Sequence, residues 1–264
     1  MVNEAPIRLT VFLTVLAGMM VWELAAPHRR QDLPRLLRWS NTFALVALDA
    51  ALIRVLFPVA AVGMAVWAQE RGLGLFALVD WPVWAEALLA ILILDLAIWT
   101  QHLVFHAVPW LWRLHRMHHA DPCVDAVTGL RFHPAEIVLS MLIKLVVIAL
   151  LGPPAVAVLL FEVVLNASSL FNHANIRLPA RVERLTRLVL VTPDMHRIHH
   201  SALRAETDSN YGFTVPWWDR IFGTYRAAPV AGQDGVVTGI GAFASPRDQW
   251  LDRLLLQPLR RGKD

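Results

Sequence analysis

The chain is nearly without cysteine. Cys123 is the only one among 264 residues. That excludes an intrachain disulfide and a thiolate metal site, so a metal held by this chain must be held by nitrogen and oxygen. Charge is scarce too, at 17% of residues, with 24 basic against 21 acidic side chains. A net charge of +3 is too small a bias to point to nucleic acid, and no basic run interleaved with aromatics is present. Tyrosine occurs only twice, against eleven tryptophans. Tryptophan in excess suits a membrane-interface belt, though it also fills ordinary cores.

Apolar residues, in contrast, are abundant. They make up 56% of the chain, and the mean hydropathy is +0.49. Soluble domains run nearer 45–50% even with glycine counted, so the composition points to a bilayer. Residues 7–26 read as a span, since the apolar run is longer than a signal-peptide core and no basic segment precedes it. Further spans are expected at about 42–68 and 83–101. The block 137–171, broken at Gly152-Pro153-Pro154, reads as a helical hairpin. The expectation is an all-α, single integral membrane domain over 1–264. A helical cap would be formed by 102–136 and 172–225, with a tail from 226 to 264. The loop 28–38 holds Arg29, Arg30, Arg35 and Arg38, whereas the opposite loop 70–81 holds only Arg71. The positive-inside rule then puts the first loop, and with it the cap, on the cytosolic face.

Histidine carries the chemistry. Ten of eleven lie between His102 and His200, and His28 sits alone in the basic loop. His102 and His106 are four apart and share a helix face. His115, His118 and His119 form an H-x-x-H-H string, and His196, His199 and His200 repeat it. At 11 histidines in 264 residues such a string should occur roughly 0.02 times per chain, so two by chance are expected in about one chain in several thousand. Adjacent histidines diverge by about 100° on a helix and can reach two metals. With His133 and His173 the set is ten imidazoles. One ion takes four to six ligands, so two ions with about five nitrogens each are expected. Imidazole suits zinc, copper, iron and nickel alike. Ligating histidines usually donate their second N–H to a neighbour. Asp95, Trp99, Asn175 and Asp194 are the candidates for that supporting layer; Asp121, Asp125 and Glu136 read as caps or surface residues. Trp217, Trp218 and Phe222 read as seating the cap on the lipid surface, and 179–191 as an interfacial amphipathic helix.

From Asp95 to Tyr225 the chain resembles the fatty acid hydroxylase and sterol desaturase superfamily. The resemblance rests on Asp95-x3-Trp99-x2-His102-x3-His106, Pro109-x-Leu-Trp-Arg-Leu-His115-Arg-Met-His118-His119 and Arg131-Phe-His133-Pro134-x-Glu136. It continues through Asn172-His173-Ala-Asn175, Thr192-Pro193-x-x-His196-Arg-Ile-His199-His200, Asp208-x-Asn210-Tyr211-Gly212 and Trp218-Asp219-Arg-x-Phe222-Gly223-Thr224. Leu103 stands where many members place arginine, and three residues separate His102 from His106 where some hydroxylases have four. The resemblance implies two iron ions (zinc is possible after purification), O2 as co-substrate and a lipid substrate that is hydroxylated or desaturated. It also implies two electrons from a separate ferredoxin-type or cytochrome-b-type donor. Three rivals are weighed beside it. A bis-His haem carrier would place single histidines in opposing spans. A metalloprotease would need an H-E-x-x-H base, absent here. A non-catalytic metal-binding or transport protein would hold metal reversibly without consuming O2.

Overall fold

A computed structural model describes residues 4–78 and 80–262. The last two residues of the tail expected at 226–264 lie outside them. Among the described residues twelve α-helices occur: α1 (Glu4–Ala25), α2 (Arg35–Leu56), α3 (Ala61–Glu70), α4 (Val83–Ala107), α5 (Pro109–His119), α6 (Pro134–Leu151), α7 (Ala155–His173), α8 (Ala180–Thr186), α9 (Pro193–His199), α10 (Arg204–Thr207), α11 (Trp217–Ile221) and α12 (Leu251–Leu256). Among the same residues there is no β-strand, only an isolated bridge between Ser201 and Thr238. The fold is all-α, as the sequence leads one to expect.

Five segments are long and apolar enough to cross a membrane: Glu4–Ala25, Arg35–Leu78, Val83–Ala107, Pro134–Leu151 and Ala155–His173. The second differs from the expected span at 42–68. Helix α2 begins earlier and ends at Leu56, and α3 starts only at Ala61. Pro58 explains the break, because a proline lacks the N–H and crowds the preceding turn. The hairpin break at 152–154 is as expected. Gly152 caps α6 with φ +63, the left-handed conformation glycine tolerates, and a Cβ there would lie 2.0 Å from the Leu73 carbonyl oxygen. Pro153 and Pro154 then prevent α6 from continuing, and Pro154 precedes the first turn of α7.

Helix α7 is the central post and packs against α1, α3 and α4. Ala61, Ala65, Leu94, Ile148, Val158 and Phe161 form the core where α3, α4, α6 and α7 meet. The outward faces stay apolar: Leu13, Val21, Val55, Trp84, Val146 and Leu160 are all exposed. Such a continuous apolar exterior has no place in water. The chain is an integral membrane protein.

One end of the bundle carries the cap. The basic loop meets it directly. Arg38 bonds Asp121 and Asp125, and the Arg29 backbone N–H donates to Asn175 Oδ1. Helix α1 joins them through Glu23, whose carboxylate accepts the Ala126 and Asn175 backbone N–H groups. The basic loop and the histidine boxes therefore share one end of the bundle. On the cap, Val182, Leu185, Leu188 and Val189 point outward with Trp217 and Phe222, so an apolar rim surrounds it.

Candidate metal centre

Four helices deliver the imidazoles. The last turns of α4 present His102 and His106. Pro109, at the first turn of α5, starts the helix that carries His115, His118 and His119. His173 is the last residue of α7. Thr192 caps α9 by accepting the Met195 N–H, and Pro193 occupies its first turn. Helix α9 then supplies His196 and His199, with His200 at its C-cap.

These nine residues fall into two buried groups. His102, His106, His115, His119 and His199 form one; His118, His173, His196 and His200 form the other. In each group one ligand atom per residue lies within 4.8 Å of all the others. The adjacent pairs His118–His119 and His199–His200 are split between the groups, as helical geometry requires. Each H-x-x-H-H string gives its i, i+4 pair to one group and its middle histidine to the other, with the assignments reversed between the strings.

The ring nitrogens show why a cation fits. His102 Nδ1 donates to the Tyr211 carbonyl at 2.7 Å, His173 Nδ1 to the Ser169 carbonyl at 2.7 Å and His199 Nδ1 to the Ser209 carbonyl at 2.8 Å. A carbonyl only accepts, so the proton of each neutral ring sits on Nδ1 and Nε2 is a bare lone pair. Carboxylates do the same for His115, held by Glu136 Oε1 at 2.7 Å, and His106, held by Asp208 Oδ1 at 3.3 Å. The Nε2 atoms of each group then converge; the Nδ1 atoms of His118, His119, His196 and His200 have no hydrogen-bond partner among the described residues, so no acceptor fixes the proton of those rings. His102 and His115 are 3.0 Å apart, and His173 lies 3.0 Å from His118, 2.9 Å from His196 and 3.2 Å from His200. His199 Nε2 is buried with no hydrogen-bond partner among the described residues. Lone pairs cannot hydrogen-bond each other, as at His102 and His115, and His173 Nε2 can accept a hydrogen from one of its three neighbours at most. Metal–nitrogen bonds of about 2.0–2.1 Å would set neighbouring donors roughly 3 Å apart, the separation seen.

Burial keeps these rings neutral. It pushes the His115 imidazole from 6.5 down to about 3. His118, His119, His196, His199 and His200 are driven well below the ordinary range, first by burial and then by neighbouring imidazoles. Neutral imidazole is the metal-binding form.

Several expected site residues lie elsewhere. His133 is in neither group: it caps α6, its Nδ1 accepting the Ala135 N–H at 3.1 Å, and its Nε2 is 3.2 Å from the Leu255 carbonyl. Pro134 in the first helical turn leaves His133 the capping position, so the ring turns away from the cluster. The arithmetic becomes five donors and four, not five and five. Asn175 bonds the Arg29 backbone at both ends of its amide. Asp194 pairs with Arg197 at 2.7 Å. Asp95 accepts the Trp218 indole N–H at 2.9 Å. Trp99 acts through Asp219: its indole donates to Asp219 Oδ1, which also accepts the Tyr211 N–H, and the Tyr211 carbonyl holds His102. His28 lies apart, beside Asp234.

Sequence reasoning missed Glu136 and Asp208 as the carboxylates that orient imidazoles. Both stand inside the motif segments quoted above, Arg131-Phe-His133-Pro134-x-Glu136 and Asp208-x-Asn210-Tyr211-Gly212, which was the available signal. A cavity of about 490 Å³ borders the first group; Phe105, Phe132 and Phe213 line it beside His102 and His115.

Comparison with known proteins agrees with this geometry. Residues 87–224 match the fatty acid hydroxylase family model. Ornithine lipid hydroxylase OlsE of Rhizobium tropici is 29% identical over 150 residues, 57% of this chain and 44% of that protein. Human alkylglycerol monooxygenase is 28% identical over 149 residues, covering 54% and 31% of the two chains. Methylsterol monooxygenase 2-2 of Arabidopsis thaliana is 27% identical over 173 residues, covering 62% and 64%. The match thus spans under half the length of the first two relatives. No solved structure matches the chain significantly. With the family model covering more than half of its residues, and both candidate metal-binding groups lying within the matched stretch, the chain belongs to the fatty acid hydroxylase family.

Proposed function

We propose that this protein is a membrane-bound di-iron oxygenase that hydroxylates or desaturates a C–H bond of a lipid with O2 and two electrons. The observation that carries the reading is the convergence of buried imidazole Nε2 atoms in two adjacent groups. His102, His106, His115, His119 and His199 hold one ion, and His118, His173, His196 and His200 the other. Bound iron supplies the reduction of O2 and the oxidation of an unactivated C–H bond, chemistry that side chains lack.

The chain's own residues do the rest. Tyr211, Ser169, Ser209, Glu136 and Asp208 fix the tautomers and ring angles. The cavity beside His102 and His115 receives the lipid, and Phe105, Phe132 and Phe213 keep its inner end dry. For hydroxylation, O2, two electrons and two protons convert C–H into C–OH and one water. The basic loop on the same end favours a cytosolic cap. A separate ferredoxin-type or cytochrome-b-type protein supplies the electrons there. A storage or transport role is not favoured, since the relatives are named hydroxylases and monooxygenases.

The test is metal analysis of gently purified protein, with His118→Ala as control. About two iron ions per chain (or zinc where it has displaced iron), reduced in the variant, supports the reading. Metal absent, or unchanged in the variant, removes it.

A further inference from the structure

The cavity that begins at His102 and His115 does not end in hydrocarbon. Arg8, Lys144 and Asn166 line its other end. Both cations engage one carboxylate: Arg8 is 3.0 Å from Glu162 Oε2, and Lys144 is 2.6 Å from Glu162 Oε1. Glu162 is buried, the Lys144 side chain is 14% exposed and Arg8 is 34% exposed. Two cations on one carboxylate leave one positive charge in excess at this end of the cavity, while Glu136, the acid on the wall at the other end, holds His115. Asp49 also lines the cavity, but among the described residues its Oδ1 has no hydrogen-bond partner and it caps neither cation. Charged groups inside an apolar layer are costly and mark ligand or ion sites.

The helices give the distance between the two ends. Lys144 lies eight residues beyond Glu136 on α6, and Glu162 lies seven before Ser169 on α7. Glu136 and Ser169 each hold a clustered histidine. At 1.5 Å per residue, the cations lie roughly 10–12 Å below the imidazoles. Ile53, Ile98, Phe105, Ile137 and Leu165 line the cavity as apolar wall. Its volume of about 490 Å³ falls in the range of sites for one small ligand, roughly 300–1,000 Å³, which suits one chain rather than two.

We infer that Arg8 and Lys144 anchor the anionic head of a single-chain amphiphile whose apolar chain runs toward His102 and His115. The inference rests on the oxygenase reading for the identity of the reacting end. It inverts the usual lipid orientation, because the head sits in the apolar layer and the chain rises toward the cap. With about 1.3 Å of rise per carbon–carbon bond, the carbon brought to the metal groups is on the order of eight to ten bonds from the head. Glu162 is then a positioning residue that holds the two cations in register.

The test is binding of dodecanoate and dodecan-1-ol to the metal-loaded full chain in nanodiscs, by calorimetric titration. Wild type is expected to bind the acid at least tenfold more tightly than the alcohol. Lys144→Met and Arg8→Gln should each weaken the acid on the order of tenfold, the loss of one charge-assisted hydrogen bond, and leave the alcohol unchanged. Lys144→Arg should retain the preference. Equal affinity for acid and alcohol, or acid binding unchanged in both Lys144→Met and Arg8→Gln, overturns the anchor. Metal content on the same samples checks folding. Two ions per chain with no discrimination between the ligands removes the anchor alone, whereas a wild type without metal removes the oxygenase reading and the anchor's reacting end with it.

Discussion

His133 offers the sharpest test, because its sequence context and its position point to opposite outcomes. His133 belongs to the same motif as Glu136, and its replacement should cost a metal ligand if the motif means ligation. The structure gives it a capping role instead. It accepts the Ala135 N–H at 3.1 Å at the start of α6 and reaches the Leu255 carbonyl at 3.2 Å. Losing a side-chain cap costs about 0.5–2 kcal/mol. For a chain of this size about 1 kcal/mol lowers Tm by about 2–4 °C. His133→Ala should therefore keep both ions and melt a few degrees lower. His118→Ala is the counterpart. Its Nε2 lies 3.0 Å from His173 Nε2, and its removal leaves three donors in a group of four. That variant should lose about one ion per chain. Elemental analysis paired with thermal unfolding in detergent separates the two. A His133→Ala protein that loses an ion at unchanged Tm would refute the capping assignment.

Other outcomes follow from the same geometry. Glu136→Gln should weaken metal binding about 10–100-fold in chelator competition, since His115 Nδ1 loses its carboxyl partner at 2.7 Å; unchanged affinity would show that the pair is incidental. Gly129→Ala should deplete the four-histidine group first, because the new Cβ would lie 2.7 Å from the Ser169 carbonyl oxygen and 3.1 Å from His173 Nδ1. X-ray absorption showing full nitrogen ligation at both ions would count against this. The metal-free protein should lose stability as pH falls. The unfolded chain takes up a proton near 6.5 and the folded His115 only near 3, so the unfolded state binds more protons between those values. At pH 5.5 that imidazole alone removes about 1.4 kcal/mol. A Tm equal at pH 8 and pH 5.5 would contradict buried neutral histidines.

Helix-local features were legible in the sequence. The spacing of His102 and His106, the two H-x-x-H-H strings and the Gly152-Pro153-Pro154 break are all local, and each appears where periodicity puts it. The break after Leu56 was carried by Pro58 but lay inside a run apolar enough to read as one span. Partners distant in sequence were not legible. Asp208 reaches His106 across 102 positions, and Glu136 reaches His115 across a loop. Backbone acceptors leave no trace in residue type at all: any residue at 211 or 209 has a carbonyl. Tyr211 holds His102 through its chain path, set by Asn210 in the left-handed region at φ +52 and by Asp219 gripping the Tyr211 and Gly212 N–H groups. Asp219 is buried, and through the Tyr211 N–H it steers the carbonyl that holds His102.

The two identical strings explain why a pair of short helices suffices. An H-x-x-H-H string on one helix offers two imidazoles at i, i+4 and a third between them at i+3. A single helix therefore serves two centres unequally, two donors to one and one to the other. A second string facing it must be assigned the opposite way, or one centre would collect four donors and the other two. Helices α5 and α9 do this: His115 and His119 join His199, and His196 and His200 join His118. That leaves each group with three imidazoles from the strings. The remaining donors break the symmetry. His102 and His106 complete the group that borders the cavity, and His173 alone completes the group behind it, where Phe132 stacks on His118 at 4.5 Å. An ion held beside the cavity would therefore have five imidazoles available to it, and one held behind it four.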